Sequence, residues 1–187
     1  MTRRTILHAL LAAAAWPLLP RGGHAAPPSD MKGVEALQRE WKTLLAANAK
    51  VPLPTEPLKL SDEAWRKRLD AEQYYVLREE GTERAGTSPL NDEKRPGVFA
   101  CAGCGLPLFT SAMKYESHTG WPSFFTTIPG AFATKTDYKI ILPRTEYHCI
   151  RCGGHHGHVF DDGPPPTGKR WCNNGVALKF IPQSGNA

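Results

Sequence analysis

Cys101-Ala-Gly-Cys104 and Cys149-Ile-Arg-Cys152 stand 44 residues apart, and a fifth cysteine, Cys172, lies alone in Lys169-Arg-Trp-Cys-Asn-Asn-Gly175. Four thiolates in two C-x-x-C pairs form a natural tetrahedral cage for zinc. Two disulfides are the other use of such pairs, but the matched spacing, with glycine within or after each pair, favours a clasp around one structural zinc ion. A closed four-sulfur site leaves no open coordination position, so it speaks for structure. The remaining thiol is then free for chemistry. A free thiol, with a pKa of roughly 8.5, is only a few per cent thiolate at neutral pH. A reactive Cys172 therefore needs nearby positive charge or hydrogen-bond donors. Arg170, two residues away, shares its face of an extended strand. A buried, inert thiol is the commoner fate of a lone cysteine, and residue type alone leaves both uses open.

His155-His156-Gly157-His158 crowds three imidazoles into four residues. Histidines with satisfied hydrogen bonds, a proton-transfer pair and a catalytic metal site are all compatible with that run, although four thiolates would outcompete imidazoles for zinc. Gly120-Trp-Pro-Ser-Phe-Phe125 sets Trp121 between turn residues. Its indole face can take an apolar substrate group or simply fill a core.

The elements that must position these groups fall into two stretches. Val34, Leu37, Trp41, Leu44 and Leu45 recur at helical spacing within Met31–Ala49. Three prolines then make Val51–Leu60 an extended linker. Ser61 can cap a second helix, with Asp62 and Glu63 in its first turn. A third runs over Asp70–Glu80, with Gly81 to end it. From Pro89 onward short β-prone runs appear at Val98–Cys101, Pro107–Thr110, Tyr138–Leu142, Thr145–Cys149, His158–Phe160 and Val176–Ile181. Gly103 and Gly153 are expected to permit the bends that aim each cysteine pair inward. Short strands bury little apolar area, and a structural metal offsets that deficit.

The 187 residues suit one compact domain. The first 26 resemble an export signal: Arg3-Arg4, the apolar run Leu10–Leu19, then small residues before Pro27-Pro28. The adjacent arginines are those of a twin-arginine signal, which carries folded proteins to the bacterial periplasm. A zinc cage filled before export would reach an oxidising compartment with its sulfurs already occupied. The apolar run is too short for a permanent membrane anchor. Arg3, Arg4 and Arg21 supply three of the five net positive charges, so the remainder carries +2. No basic stripe argues for nucleic acid.

Several of these motifs occur together in one family. Cys101-Ala-Gly-Cys-Gly-Leu-Pro-Leu-Phe109, Gly120-Trp-Pro-Ser-Phe124, Arg144-Thr-Glu146, Cys149-x-x-Cys152, the run from His155 to Gly168, and Arg170-x-Cys-x-Asn174 appear in order. The chain thereby resembles the methionine-R-sulfoxide reductase B family, from about Ser61 to Pro182. The resemblance implies a mainly β fold, two small antiparallel sheets arranged like a tent, with helices at the N-terminal end and a structural zinc clasp. It divides the chain into an export signal (1–26), an N-terminal helix and Pro-rich linker (27–60) and a reductase domain (61–183). Cys101, Cys104, Cys149 and Cys152 match the zinc ligands, and Cys172 matches the nucleophile. His155, His158 and Asn174 match polar groups of the site, and Trp121 matches the indole that packs the substrate methyl. The activity implied is thiol-dependent reduction of methionine-R-sulfoxide in proteins through a cysteine sulfenic acid. A zinc-clasp binding module without turnover is the alternative, since fold alone does not fix function.

The chain departs from the family pattern in places. Thr119 fills the position where many members carry a resolving cysteine, so an external thiol, thioredoxin-like or another dithiol, is the expected reductant. Trp171 replaces a smaller aromatic residue, Gly175-Val176 replaces Ser-Ala, and His156 replaces an apolar residue.

Overall fold

The computed structural model describes residues 26–139 and 142–184, so nearly all of the expected export segment lies outside the described residues. Among them no helix is long and apolar enough to cross a membrane.

Helix α1 (Met31–Glu40) starts at Asp30, whose carboxylate accepts from the Gly33 N–H at 2.9 Å. It is shorter than the 31–49 expected from periodicity. Beyond Glu40 the chain tightens into a 3-10 turn at Trp41–Leu44, where the Thr43 hydroxyl takes the Glu40 carbonyl at 2.7 Å. That is the carbonyl the Leu44 N–H would take if the α-helix continued. Helix α2 (Asp62–Arg68) is capped by Ser61, as expected. Helix α3 (Ala71–Glu79) opens on a reciprocal capping box between Asp70 and Gln73. It ends with Glu80, not Gly81, in the left-handed conformation (φ 55°). Gly81 instead leaves room for Tyr75, whose ring would lie 2.3 Å from a Cβ at that position. The Glu80 carboxylate accepts from Lys135 and Lys139 at 2.5 and 2.7 Å, which pins this end of α3 to the sheet.

The strands are β1 (Gly97–Cys101), β2 (Pro107–Thr110), β3 (Lys114–Tyr115), β4 (Ser123–Phe124), β5 (Phe132–Asp137), β6 (Arg144–Cys149), β7 (His155–Phe160), β8 (Arg170–Asn173) and β9 (Leu178–Pro182). They form two antiparallel sheets, β2-β1-β9 and β3-β4-β8-β7-β6-β5. The fold is mainly β with its helices near the N-terminus, as the family resemblance implied. Phe99, Phe109 and Phe124 lie at the core, Phe109 and Phe124 stacked with centroids 3.9 Å apart.

Two expected strands are displaced. Among its described residues, Tyr138–Leu142 is not a strand, and Tyr138 and Leu142 are 75% and 73% exposed. Asp137 ends β5 just before it by accepting the Lys139 N–H at 2.8 Å, an Asx turn. The strand expected at Val176–Ile181 begins only at Leu178, after a 3-10 turn at Gly175–Ala177.

The pairing register does the positioning. Lys135, Glu146, His158, Cys172, Ser123 and Tyr115 oppose one another in turn across all six strands of the larger sheet. Directly opposed residues point to the same face, with Cβ atoms about 4.5–5.5 Å apart. Neighbouring positions turn to the other face: Trp171 packs there with Phe132 and Tyr147, at 5.7 and 5.0 Å.

Gly157 lets β7 and β8 come this close. A Cβ on it would stand 2.0 Å from the Cys172 carbonyl oxygen, and its φ is 155°. Gly157→Ala is expected to cost at least about 2 kcal/mol, read as a fall in the urea midpoint. A variant as stable as the parent would contradict this register.

Candidate active site and metal clasp

The two cysteine pairs meet where the sheets approach each other. Cys101 ends β1 in the smaller sheet, and Cys149 ends β6 in the larger. The four sulfurs lie within 4.8 Å of one another, all buried, with Cys101 and Cys152 at 3.7 Å and Cys104 and Cys149 at 3.5 Å. Tetrahedral zinc, with Zn–S bonds of about 2.3 Å, requires S···S separations of about 3.8 Å. A disulfide would require about 2.05 Å. Both of these short contacts join sulfurs of different pairs, so the four cysteines form one clasp that could hold a metal ion.

Both halves of the clasp are built alike. The Gly105 N–H donates to the Cys101 carbonyl, and the Gly153 N–H to the Cys149 carbonyl, each at 2.8 Å. Gly105 and Gly153 carry the positive φ (77° and 69°) that such a turn needs. The first bend thus rests on Gly105, not on the expected Gly103. Three guanidiniums surround the clasp through its carbonyls: Arg68 to Gly103, Arg78 to Cys152 and Arg151 to Cys104, at 2.6, 2.9 and 3.1 Å. Four thiolates around a divalent ion carry two net negative charges, which these cations offset.

Cys172 is the cysteine outside the clasp, and it is half-buried. It opens on a cleft of about 110 Å³ lined by Trp121, Arg144, His158, Phe160 and Asn174, among others. Burial pushes the thiol pKa up, while the charge of Arg170 and hydrogen bonds from Thr119 and Arg170 draw it back. The cation expected from the sequence is therefore present, and Thr119 joins it. Arg170 is itself held by Asp162 through two 2.8 Å bonds.

His158 lies directly across from Cys172 on β7. Its Nε2 is 2.8 Å from Asp137 Oδ2. Asp137 is buried, and the Lys139 N–H, His158 and Arg144 hold its carboxyl well below the usual range. An ionised Asp137 can only accept, so Nε2 carries the proton and Nδ1 keeps its lone pair. Burial lowers the His158 pKa despite Asp137, so the ring is neutral near pH 7. Asp137, His158 and Cys172 stand in the order that an orienter, a base and a nucleophile would need.

His155 does not line the cleft. It sits behind His158, ring centroids 5.6 Å apart, 2% exposed and close to Glu146 and His148. Burial lowers its pKa to about 3. Asn174 reaches the cleft, but its side chain also accepts from the Glu83 N–H at 2.9 Å and donates to the His156 carbonyl at 3.0 Å. Its second amide hydrogen remains for the cleft. Trp121 is fixed by its Nε1–H, which donates to the Glu83 carbonyl at 3.2 Å.

Glu83, Asp137 and Arg144 were given no role on sequence grounds. The buried Glu83 carboxylate accepts from the Gly175 and Val176 N–H groups at 2.6 and 2.9 Å. It thereby joins Trp121, Asn174 and the chain just after the nucleophile. Arg144 bonds Asp137 at 2.6 Å, and its buried Nε–H has no hydrogen-bond partner among the described residues. Only Arg144 had a signal, in the Arg144-Thr-Glu146 motif.

The departures from the family pattern also find places. His156 and Trp171 both pack on Phe132 and Tyr147, in one aromatic cluster beneath the nucleophile strand. A Cβ at Gly175 would stand 1.9 Å from Ser88 Oγ, so the serine hydroxyl occupies that space.

The sequence profile of the SelR domain matches residues 69–182. Peptide methionine sulfoxide reductase B1, chloroplastic, of Arabidopsis thaliana is 53% identical over 122 residues, 65% of this chain and 60% of the relative. The protein of the same name from Oryza sativa subsp. japonica is 50% identical over 128 residues, 68% of this chain and 60% of the relative. Peptide methionine sulfoxide reductase MsrB of Agrobacterium fabrum is 49% identical over 123 residues, 65% of this chain and 91% of the relative. The chain thus spans about 60% of the length of the two plant relatives.

The thiol environment is open to test. Alkylation of Cys172 by iodoacetamide is expected to rise with pH through a midpoint above the ordinary thiol value. Thr119→Val removes a donor to the thiolate and should move that midpoint higher. A midpoint unchanged in the variant would remove Thr119 from the site.

Proposed function

The chain belongs to the methionine-R-sulfoxide reductase B family, whose SelR domain it carries, and on that premise we propose that it reduces methionine-R-sulfoxide residues in proteins to methionine. The observation that carries this reading is the placement of Cys172 opposite the Asp137–His158 pair in a small, half-apolar cleft. A binding module without turnover has no need of an imidazole held by a carboxylate directly across the sheet from a free thiol.

His158 Nδ1 takes the Cys172 proton as the sulfur attacks the sulfoxide sulfur, and Asp137 stabilises the imidazolium that forms. That imidazolium returns a proton to the sulfoxide oxygen as negative charge builds on it. Arg144 Nε–H and the second Asn174 amide hydrogen, on two residues that line the cleft, are further donors for such an oxygen. The S=O bond breaks, the oxygen passes to Cys172 as a sulfenic acid and methionine leaves. One thiol plus one sulfoxide become one sulfenic acid plus one thioether, so atoms and electrons balance. His155, behind His158, acts by orienting it.

Epimer choice follows from the two sides of the cleft. The substrate methyl packs on Trp121 while the oxygen faces His158 and Arg144. The opposite epimer would bury an unpaired oxygen against the indole, at a cost of about 1–3 kcal/mol.

The sulfenic acid then needs two external thiol equivalents, which leave as a disulfide and water. Thr119 stands beside Cys172, and the other four sulfurs lie in the clasp. A thioredoxin-like protein or other dithiol is the partner of that chemistry. The clasp fits one Zn2+: four soft donors at tetrahedral spacing, with no position open to substrate. Bound there, the ion supplies cohesion between the sheets. The twin-arginine pattern of residues 1–26 supports export to a bacterial periplasm, after folding and metal loading in the cytoplasm.

With dithiothreitol as donor, the protein is expected to reduce the R epimer of a methionine-sulfoxide peptide and leave the S epimer. Cys172→Ser should abolish turnover while the fold and bound zinc persist. Asp137→Asn should lower kcat about 10²–10⁴-fold. Retained activity in Cys172→Ser would refute the proposal.

A further inference from the structure

Beside His158, and sharing Glu146 with the row across the strands, lies a second cluster of metal-ligating side chains. Glu146, His148 and His155 each direct one donor atom into a common region, all within 4.8 Å of one another. His148 Nε2 is 3.1 Å and His155 Nδ1 is 2.5 Å from Glu146 Oε1. These separations are as short as hydrogen bonds, yet none has the alignment of one: Glu146 Oε1, His148 Nε2 and His155 Nδ1 are all buried without a hydrogen-bond partner. Leaving such groups unpaired costs about 1–3 kcal/mol each.

The outer atoms sharpen the point. His148 Nδ1 lies 3.3 Å from the Gly153 carbonyl, which can only accept. Nδ1 therefore donates, and in the neutral ring Nε2 turns a bare lone pair toward a carboxylate oxygen. In that neutral tautomer two acceptors face each other, and a cation, either a proton or a metal ion, must come between them. An imidazole held by a backbone carbonyl, with its other nitrogen free, is also how metal-binding histidines are oriented. Glu146 Oε2 has a cationic neighbour of its own, Lys135 Nζ at 3.5 Å.

We propose that Glu146, His148 and His155 form a second, exchangeable site for a borderline divalent transition ion such as Zn2+, and that filling it switches the reductase off. Two imidazoles and a carboxylate are the donor set of open zinc sites and other first-row divalent centres. Unlike the clasp, this site offers three protein ligands and leaves a position for water. His148 is 15% exposed in its side chain and gives the ion a way in. A dication held there opposes the positive charge that His158 must acquire, since the His155 and His158 ring centroids are 5.6 Å apart. The binding site stands on geometry alone, and its effect on turnover rests on the reductase reading.

Equilibrium dialysis of the zinc-loaded protein against added Zn2+, followed by elemental analysis, tests the site directly. The parent is expected to take up a second ion per chain, and His148→Gln to bind it at least about tenfold more weakly while keeping the first. Activity with dithiothreitol withheld from the zinc preincubation should fall as the second ion binds, recover with a weak chelator and resist zinc in His148→Gln. Co2+ added to the zinc-loaded protein should give d–d bands without thiolate charge transfer. If His148→Gln loses the clasp ion, Lys135→Gln decides: removing the competing cation should tighten second-site binding, and unchanged affinity would overturn the proposal. A parent that holds a single ion, or a second ion bound equally by His148→Gln, would overturn it too. A second ion bound by a protein that reduces no sulfoxide would leave the metal site standing and sink the reductase reading alone.

Discussion

A slip of one residue between β7 and β8 would carry His158 and Cys172 to opposite faces of the sheet, because side chains alternate with a period of two. Everything chemical in this molecule depends on that register. Glu146, His158, Cys172 and Ser123 are consecutive members of one row across the strands, and Gly157 allows the close approach that sets it. The clasp acts on the same register from the other side. Cys149 lies three residues after Glu146, and Cys152 three before His155, so fixing the β6–β7 turn fixes the start of the row. On the proposed reading, the four clasp sulfurs thereby decide where the fifth is placed.

The strands on either side of that turn are short, and a short sheet does not hold its register by pairing alone. Arg68 and Arg78 reach from α2 and α3 to the clasp carbonyls, and Glu80 ties the end of α3 to Lys135 on β5. The Lys135 hydrogen bond holds the Glu80 carboxyl down at about 2, so this tie is fully present above the ordinary carboxylate range and is lost only as pH falls toward 2. Glu83 performs the same service for the substrate end, where one buried residue fixes Trp121, Asn174 and Gly175.

Much of this was legible in the sequence, for stated reasons. The cysteine spacing announced the clasp, the cap at Ser61 placed α2, and the run Asp70–Glu80 placed α3 to within one residue at each end. The closeness of Arg170 to Cys172 followed from a two-residue offset, whereas the role expected of Cys172 came from the family resemblance. What stayed hidden depends on long-range pairing. Asp137 is an unremarkable aspartate until β5 and β6 bring it to His158. Strand β5 itself, largely exposed, lacks the apolar alternation that marks a strand, while the exposed Tyr138 and Leu142 supply a false signal. His155 shows the converse: its motif is plain, and the bulge between β6 and β7 brings it to the face of His158, yet it lies behind that ring and does not line the cleft.

A single turnover in the absence of any reductant tests the central claim most directly. Protein mixed with excess methionine-R-sulfoxide peptide should release one methionine per chain, then stop, with one oxygen atom retained on Cys172 and trappable by a sulfenic-acid reagent. The four clasp sulfurs should remain unmodified and metal-bound. A disulfide between Cys172 and a clasp cysteine as the product of that turnover, or oxygen transfer that leaves Cys172 untouched, would contradict the account.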